Sequence, residues 1–496
     1  MTRPSRSVRR ATTVLALTLA MLAGCTHGTP PPTPTTAPTT AGSPWDGLDL
    51  EAGRSQPVAD PFYPDYGHAS LDVLAYRLEL AWNPDQEQLT GTATIALRAA
   101  APLPSIDLDF SRAYTVDSAT VDGVTVPTRW DGEDLSLPRP LDTDARATLV
   151  VRYHGQPRTV PMPSQRGDFG EGLGLRVATG GDLWTMQEPY GASTWYPAND
   201  MPSDEAVYDI QVTVPAGLSA VASGTFLGTS GSTPSWLGSD GSAMFHWRSV
   251  DPVAAYLVTL AIGDYTAITD TGPDGLPLTY WLRPEDMRYE AAVRRTPELL
   301  DWLAQRFGPY PFPSGGVVFV DSESAMETQQ MVTFGAAVSG DPDEVAETLL
   351  HEYSHQWFGD AVTPTDWSGL WLNEGWAMYC ELLWVIDQGW GSEADVIEWA
   401  READAYSRPV AGPPGHADPQ HFAESNVYFG PALMLHAIHE QIGDDAFFAM
   451  ARDWVQQHRN TQVDRAEFMA FVNQHTGRDF TALMNAWLDS PTTPTI

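Results

Sequence analysis

The chain has 496 residues, 43% of them hydrophobic and 10% aromatic, and a net charge of −37. That length argues for two or three domains, and the apolar content allows large buried cores and excludes wholesale disorder. All 27 basic residues are arginine, and so acidic a surface repels nucleic acid; it reads first as a well-solvated surface and second as one that attracts cationic peptides.

Residues 1–10 carry four arginines, and residues 11–23 are mostly apolar but too short for an ordinary membrane-spanning helix. Leu22-Ala23-Gly24-Cys25 then resembles a bacterial lipobox, in which cleavage before the cysteine leaves a lipidated amino terminus. The expectation is a leader over residues 1–24, lipid on Cys25, and an extracytoplasmic protein anchored to the cell membrane. Ordinary secretion with cleavage nearby is the alternative. Only one other cysteine exists, Cys380, so a disulfide framework is excluded. Cys380 lies in an apolar helical run and is expected to be buried and inert. Residues 26–44 are rich in Pro and Thr without an apolar pattern, and a tether is expected over residues 25–57.

Residues 58–265 read as a β domain. Tyr76-Arg77-Leu78-Glu79-Leu80 alternates, and over residues 92–98 one face carries Ala93, Ile95 and Leu97 while the other carries Thr92, Thr94, Ala96 and Arg98. Turn signals such as Asp122-Gly123 and Asp131-Gly132 separate such runs, which predicts an antiparallel sheet. Residues 266–496 form a second unit of mixed character. Residues 284–307 read as helical with a break or kink at Pro297, residues 317–320 as a short strand, and helical patterns dominate from residue 341.

The helix predicted to begin near residue 341 carries the chemistry. Asp341 can cap it, Pro342 suits its first position, and Glu344 has capping-box spacing. His351-Glu352-Tyr353-Ser354-His355 follows. Two histidines four residues apart on a helix face the same way, with Cβ atoms about 6 Å apart, and can grip one zinc ion. Glu352 is rotated by about 100°, beside the metal, where it can accept a proton from water. A catalytic zinc site needs a third protein ligand. Glu374 stands after a further 18 residues, in Trp371-Leu372-Asn373-Glu374-Gly375-Trp376-Ala377.

These two segments together resemble the M1 family of zinc aminopeptidases, whose signature is HExxH, 18 residues and Glu within a WLNEG-type sequence. The resemblance implies an α+β fold: an amino-terminal antiparallel β domain followed by a thermolysin-like zinc peptidase domain, mostly helical toward its C-terminal end. It also implies one Zn2+ per chain on His351, His355 and Glu374, with Glu352 as the general base. Ser324-Ala325-Met326-Glu327-Thr328 is similar to the family's GxMEN edge strand, with Ser and Thr replacing its Gly and Asn. Glu327 is then implied to hold the substrate's free amine. Thr185-Met186-Gln187-Glu188-Pro189 resembles the TQxEP stretch and makes Glu188 its partner. Tyr428 matches the tyrosine that stabilises the oxyanion, although Gly430 and Pro431 stand where relatives carry Lys-Gly. Glu381 follows Glu374 by about two helical turns on nearly the same face and is left unassigned, as apt to orient a zinc ligand as to be a structural acid.

The implied function is hydrolysis of the amino-terminal peptide bond of peptides with a free amine. A large helical roof domain found in relatives has no room before residue 496, and a more open site is expected. Two rivals stand beside this reading. One is a zinc endopeptidase, against which the carboxylate pair argues. The other is a non-catalytic surface binding lipoprotein on the same scaffold.

Overall fold

A computed structural model describes residues 43–164, 170–178, 180–231 and 241–495. The leader-like segment, Cys25 and the Pro/Thr-rich run to residue 42 lie outside the described residues.

The first half is built on an eight-stranded sheet. Its strand order is Thr225–Gly231, Ser242–Ala254, Glu205–Pro215, Leu71–Asn83, Gln88–Ala99, Arg146–Gly155, Tyr114–Val121, Val124–Thr125. The sheet is antiparallel as expected at every pairing but one. Leu71–Asn83 and Glu205–Pro215 run parallel, with Ala75 opposite Val207, because the chain returns through several intervening strands rather than one hairpin. A three-stranded sheet and a four-stranded sheet complete this half, the latter ordered Ser219–Ala222, Leu260–Gly263, Leu183–Met186, Gly174–Val177.

The alternation read at residues 92–95 is present, with Ala93 and Ile95 buried and Thr92 and Thr94 half-buried. Beyond Ile95 both faces are buried, and the cause lies in the expected tether. Trp45, Leu48, Leu50 and Ala52 pack on Leu74, Ala75, Ala96 and Val207, so residues 44–57 are a strap across the sheet rather than a solvated spacer. Arg98 turns inward beneath it, where its Nε donates to Asp72 at 2.6 Å and Nη2 to the Ser55 carbonyl at 2.8 Å.

From residue 266 a five-stranded sheet begins, ordered Thr266–Thr271, Pro277–Leu282, Gly315–Val320, Val332–Gly335, Ala325–Met326. Ala325–Met326 is its edge, as the resemblance implied. Nine α-helices are described: α1 (Glu290–Val293), α2 (Thr296–Phe307), α3 (Pro342–His355), α4 (Trp371–Asp387), α5 (Glu393–Ala411), α6 (Asn426–Ile442), α7 (Asp444–His458), α8 (Arg465–Thr476) and α9 (Thr481–Asp489). The predicted break at Pro297 falls between α1 and α2, because Pro297 occupies the first turn of α2, where its missing N–H costs nothing. Among the described residues no helix is long and apolar enough to cross a membrane. Cys380 is fully buried in α4, and burial pushes its thiol up to about 12, which leaves it unreactive.

Candidate active site

Helix α3 starts as predicted at Asp341, whose Oδ1 accepts from the Asp343 N–H at 2.9 Å, with Pro342 at the first position. The capping box does not form. Glu344 instead accepts from Ser339 Oγ at 2.7 Å, and Ser339 Oγ accepts from the Asp341 N–H. Three turns on, His351 and His355 point from one face of α3, with their Nε2 atoms 3.3 Å apart. Glu374, in the first turn of α4, brings Oε2 to 3.3 Å from His351 Nε2 and 3.5 Å from His355 Nε2. Three donors on a tetrahedral zinc with bonds of about 2.0–2.1 Å stand roughly 3.3 Å apart. The observed triangle and its two-nitrogen, one-oxygen donor set therefore fit zinc.

The chain after His355 makes that geometry possible. It leaves α3 through residues 356–360, where Gly359 has φ 138°. A Cβ there would sit 3.2 Å from Asn373 Cγ and 3.4 Å from His355 Nδ1. The turn directs the Phe358 carbonyl at His355 Nδ1, 3.2 Å away. A carbonyl only accepts, so Nδ1 carries the proton and Nε2 keeps its lone pair for a metal. On His351 the corresponding neighbour is Glu381, with Oε2 3.4 Å from Nδ1. That is an ion-pair distance without hydrogen-bond alignment, since His351 Nδ1 has no aligned acceptor.

Burial works against charge on His351, but Glu374 and Glu381 outweigh it and raise the ring well above its ordinary pKa. Burial likewise disfavours the Glu374 anion, yet His355 and His351 hold that carboxyl far below the usual range. Glu352 is 7% exposed, and burial pushes its carboxyl up to about 7 against the pull of His351 and His355.

All the expected site residues line one cleft of about 540 Å³: Glu188, Glu327, Tyr428, the three ligand candidates and Glu352. Seven glutamates face it and no arginine does. The Tyr428 ring lies 5.9 Å from the His351 ring, nearly parallel to it. Glu327 follows the edge strand and is buried; burial raises its carboxyl and His355 partly offsets the rise. Gln356, the residue after His355, fixes this segment to α3: its Nε2 donates to the Glu327 carbonyl at 2.9 Å and its Oε1 accepts from the Gln330 N–H at 2.8 Å.

The Glu188 segment, from the other half of the chain, is bound to the same neighbourhood. Gln187 Nε2 donates to the carbonyls of Ala255 and Val258, both at 2.8 Å, while Gln329 N–H donates to the Leu257 carbonyl at 3.0 Å. Beside this turn the hydroxyls of Thr328, Thr333, Thr259 and Thr185 stand in series at 2.8, 2.7 and 3.2 Å. Thr328, a departure from the family pattern, is thereby the end of a buried hydroxyl chain.

The departures at Gly430 and Pro431 also have physical causes. A Cβ at Gly430 would lie 2.7 Å from Asp404 Oδ1 and 2.8 Å from Arg408 Nη2. Those two residues of α5 form a fully buried pair, Arg408 Nε to Asp404 Oδ2 at 2.6 Å, which fills the space a lysine at 430 would need. Pro431 rests on Gly375 of α4, where an added Cβ would meet Pro431 Cβ at 2.4 Å. Glu381, Gln356, Gln187 and the threonine chain went unassigned in the sequence. Only Glu381 carried a signal there, its seven-residue offset from Glu374.

Two family descriptions match the chain: the peptidase M1 N-terminal domain over residues 73–257 and the peptidase family M1 domain over residues 291–487. Aminopeptidase N of Streptomyces lividans is 26% identical over 351 residues, covering 65% of this chain and 40% of that protein. Aminopeptidase B of Mus musculus is 27% identical over 340 residues, covering 63% and 49%. The chain spans about two fifths of the length of the first curated relatives it matches, 41% for probable M1 family aminopeptidase 2 of Encephalitozoon cuniculi. The crystal structure of an M1 zinc metallopeptidase from Deinococcus radiodurans superposes with a TM-score of 0.75 at 29% identity, covering 89% of this chain and 99% of that one. A mutant of that protein bound to a Tyr-Ser-Ala substrate gives a TM-score of 0.76 at 28% identity.

Proposed function

The chain belongs to peptidase family M1, and from that premise we propose that it is a zinc-dependent aminopeptidase acting on peptides with a free amino terminus. The observation that carries the reading is a triangle of ligand atoms 3.3 to 3.5 Å on a side in a cleft that also holds two buried carboxylates, Glu327 and Glu188.

His351, His355 and Glu374 would hold the metal. Zinc there supplies Lewis acidity, polarising a carbonyl and making water a better nucleophile. Glu352 takes the proton of the attacking water and returns it to the leaving amine. The Tyr428 hydroxyl donates a hydrogen bond to the developing oxyanion. Glu327 and Glu188 accept hydrogen bonds from the substrate ammonium and offset its desolvation. With its amine held by that pair, a peptide is bound by its first residue and trimmed from that end. The test is hydrolysis of amino-acid arylamides with and without chelator. Release that stops with chelator, returns with zinc and vanishes on amine acetylation supports the reading. Cleavage of acetylated peptides at internal bonds would replace it with an endopeptidase.

We further propose that the enzyme works outside the cytoplasm, held to the membrane by lipid on Cys25. Support comes from the sequence alone, the arginine-led apolar run ending in Leu22-Ala23-Gly24-Cys25. In cells, Cys25→Ala should abolish fatty-acid labelling and move the protein out of the membrane fraction; retained labelling would end this part of the proposal.

A further inference from the structure

Away from the cleft, a second set of ligand-type side chains converges where α5 meets α6. His436 and Glu440 stand four residues apart on α6 and so share a face, while Glu393 is the first residue of α5. One ligand atom from each lies within 4.8 Å of the other two. His436 is 7% exposed and its ring contacts Tyr379 at 6.2 Å. Neither of its ring nitrogens hydrogen-bonds to any described residue. Both glutamates are exposed at their outer ends. No arginine or histidine among the described residues forms an ion pair with either of them. Two carboxylates this close repel each other, and the imidazole beside them has nitrogens that no described protein group engages. One cation placed between the three answers both.

We propose that Glu393, His436 and Glu440 form a second divalent-cation site, separate from the catalytic centre and structural in role. One imidazole nitrogen with two carboxylate oxygens suits zinc and cations of similar ligand preference, and water completes the coordination on the open side. Both glutamates are exposed and free to turn, and the three ligand atoms already lie within 4.8 Å of one another. The site lies eight residues beyond Tyr428 on α6, roughly 12 Å along the helix axis, so no ligand is shared with the catalytic triad. Its effect is to clip the start of α5 to the middle of the helix that carries Tyr428.

The test is equilibrium dialysis of the full chain against micromolar zinc chloride, with bound metal counted by elemental analysis. Wild type should hold two zinc ions per chain, and Glu440→Gln and His436→Ala one each. The catalytic-site variant His351→Ala should keep one, and the double variant His351→Ala with Glu440→Gln none. Glu440→Gln alters an exposed side chain and keeps the fold, so loss there is a loss of binding, checked by unchanged arylamide turnover. One zinc in wild type, or two in both single variants of the second site, would overturn the proposal.

Discussion

Replacing Glu381 by glutamine tests whether this carboxylate supports His351, one of the three candidate zinc ligands. The Glu381 carboxylate lies 3.4 Å from His351 Nδ1, on the side of the ring opposite Glu374, and its side chain is 16% exposed. Two full charges at that separation would attract by about 5 kcal/mol at an effective dielectric constant near 20. A metal-bound imidazole carries only part of a charge on Nδ1–H, and the alignment is poor, so a third to a half of that ceiling is expected, about 1.5–2.5 kcal/mol. At 1.4 kcal/mol per factor of ten, Glu381→Gln should weaken zinc binding roughly 10- to 100-fold. Competition against a chromophoric chelator at fixed pH measures this directly. Turnover at saturating zinc should change by no more than a few-fold, because glutamine keeps the shape of the wall. Unchanged zinc affinity would refute the reasoning and return Glu381 to the role of a structural helix acid.

Other perturbations address other parts of the site. Glu352→Gln should retain zinc at the catalytic site and lose about 10²- to 10⁴-fold in kcat; full activity would remove it as the base. Glu327→Gln and Glu188→Gln should each lower kcat/KM for free-amine substrates by roughly 10- to 100-fold, the value of one charge-assisted hydrogen bond, while the slow cleavage of an acetylated analogue stays level. Thr259→Val interrupts the hydroxyl chain between Thr333 and Thr185 and leaves two buried hydroxyls short of a partner, so urea unfolding should show a loss of about 1–3 kcal/mol. Burial first, then Asp200, raises Asp109 to about 7, so the native state favours its neutral form. The sign follows: stability from this group is greatest below the unfolded pKa near 4 and is lost as pH rises toward 7, and Asp109→Asn should flatten the stability profile over that window.

The candidate zinc ligands His351 and His355 were legible because their geometry is local. A four-residue step on a helix puts two imidazoles on one face whatever surrounds them, and the sequence from Asp341 to His355 carries a start signal and a buried side. Glu374 needed the family spacing as well, and the structure supplies the crossing of α3 and α4 that gives the spacing its meaning. Glu188 and Glu327 were legible only through resemblance, since nothing in periodicity connects residues so far apart. The parallel pairing of Leu71–Asn83 with Glu205–Pro215 was hidden for the same reason. Residues 44–57 misled because four apolar residues among Pro, Gly and acids look like a spacer until the sheet beneath them is known. Thr328 and Gly430 looked like losses of the family pattern; a hydroxyl chain and a buried Arg-Asp pair account for them, and Thr259, Asp404 and Arg408 lie far in sequence from the positions they explain.

The two carboxylates assigned to the substrate amine come from different halves of the chain, and this bears on how an aminopeptidase on this scaffold measures length. Glu188 follows the strand Leu183–Met186 in the four-stranded sheet, and Glu327 follows the edge of the five-stranded sheet. A charge-assisted hydrogen bond weakens steeply once donor and acceptor part by more than a few tenths of an ångström beyond 2.7–2.9 Å. The separation of the pair from the metal ligands is therefore a mechanical property of the seam between the sheets, not of either carboxylate. Gln187, Gln329, the turn at residues 255–258 and the four threonines are that seam, and Gln356 ties it to the zinc helix. Loosening the seam should blur amine recognition while leaving zinc affinity intact, since His351, His355 and Glu374 sit on α3 and α4 and share no hydrogen bond with the hydroxyl chain. In Thr259→Val, a KM that rises for free-amine arylamides at unchanged zinc content places length measurement in the seam. A KM that stays constant while stability falls assigns the threonines to packing alone.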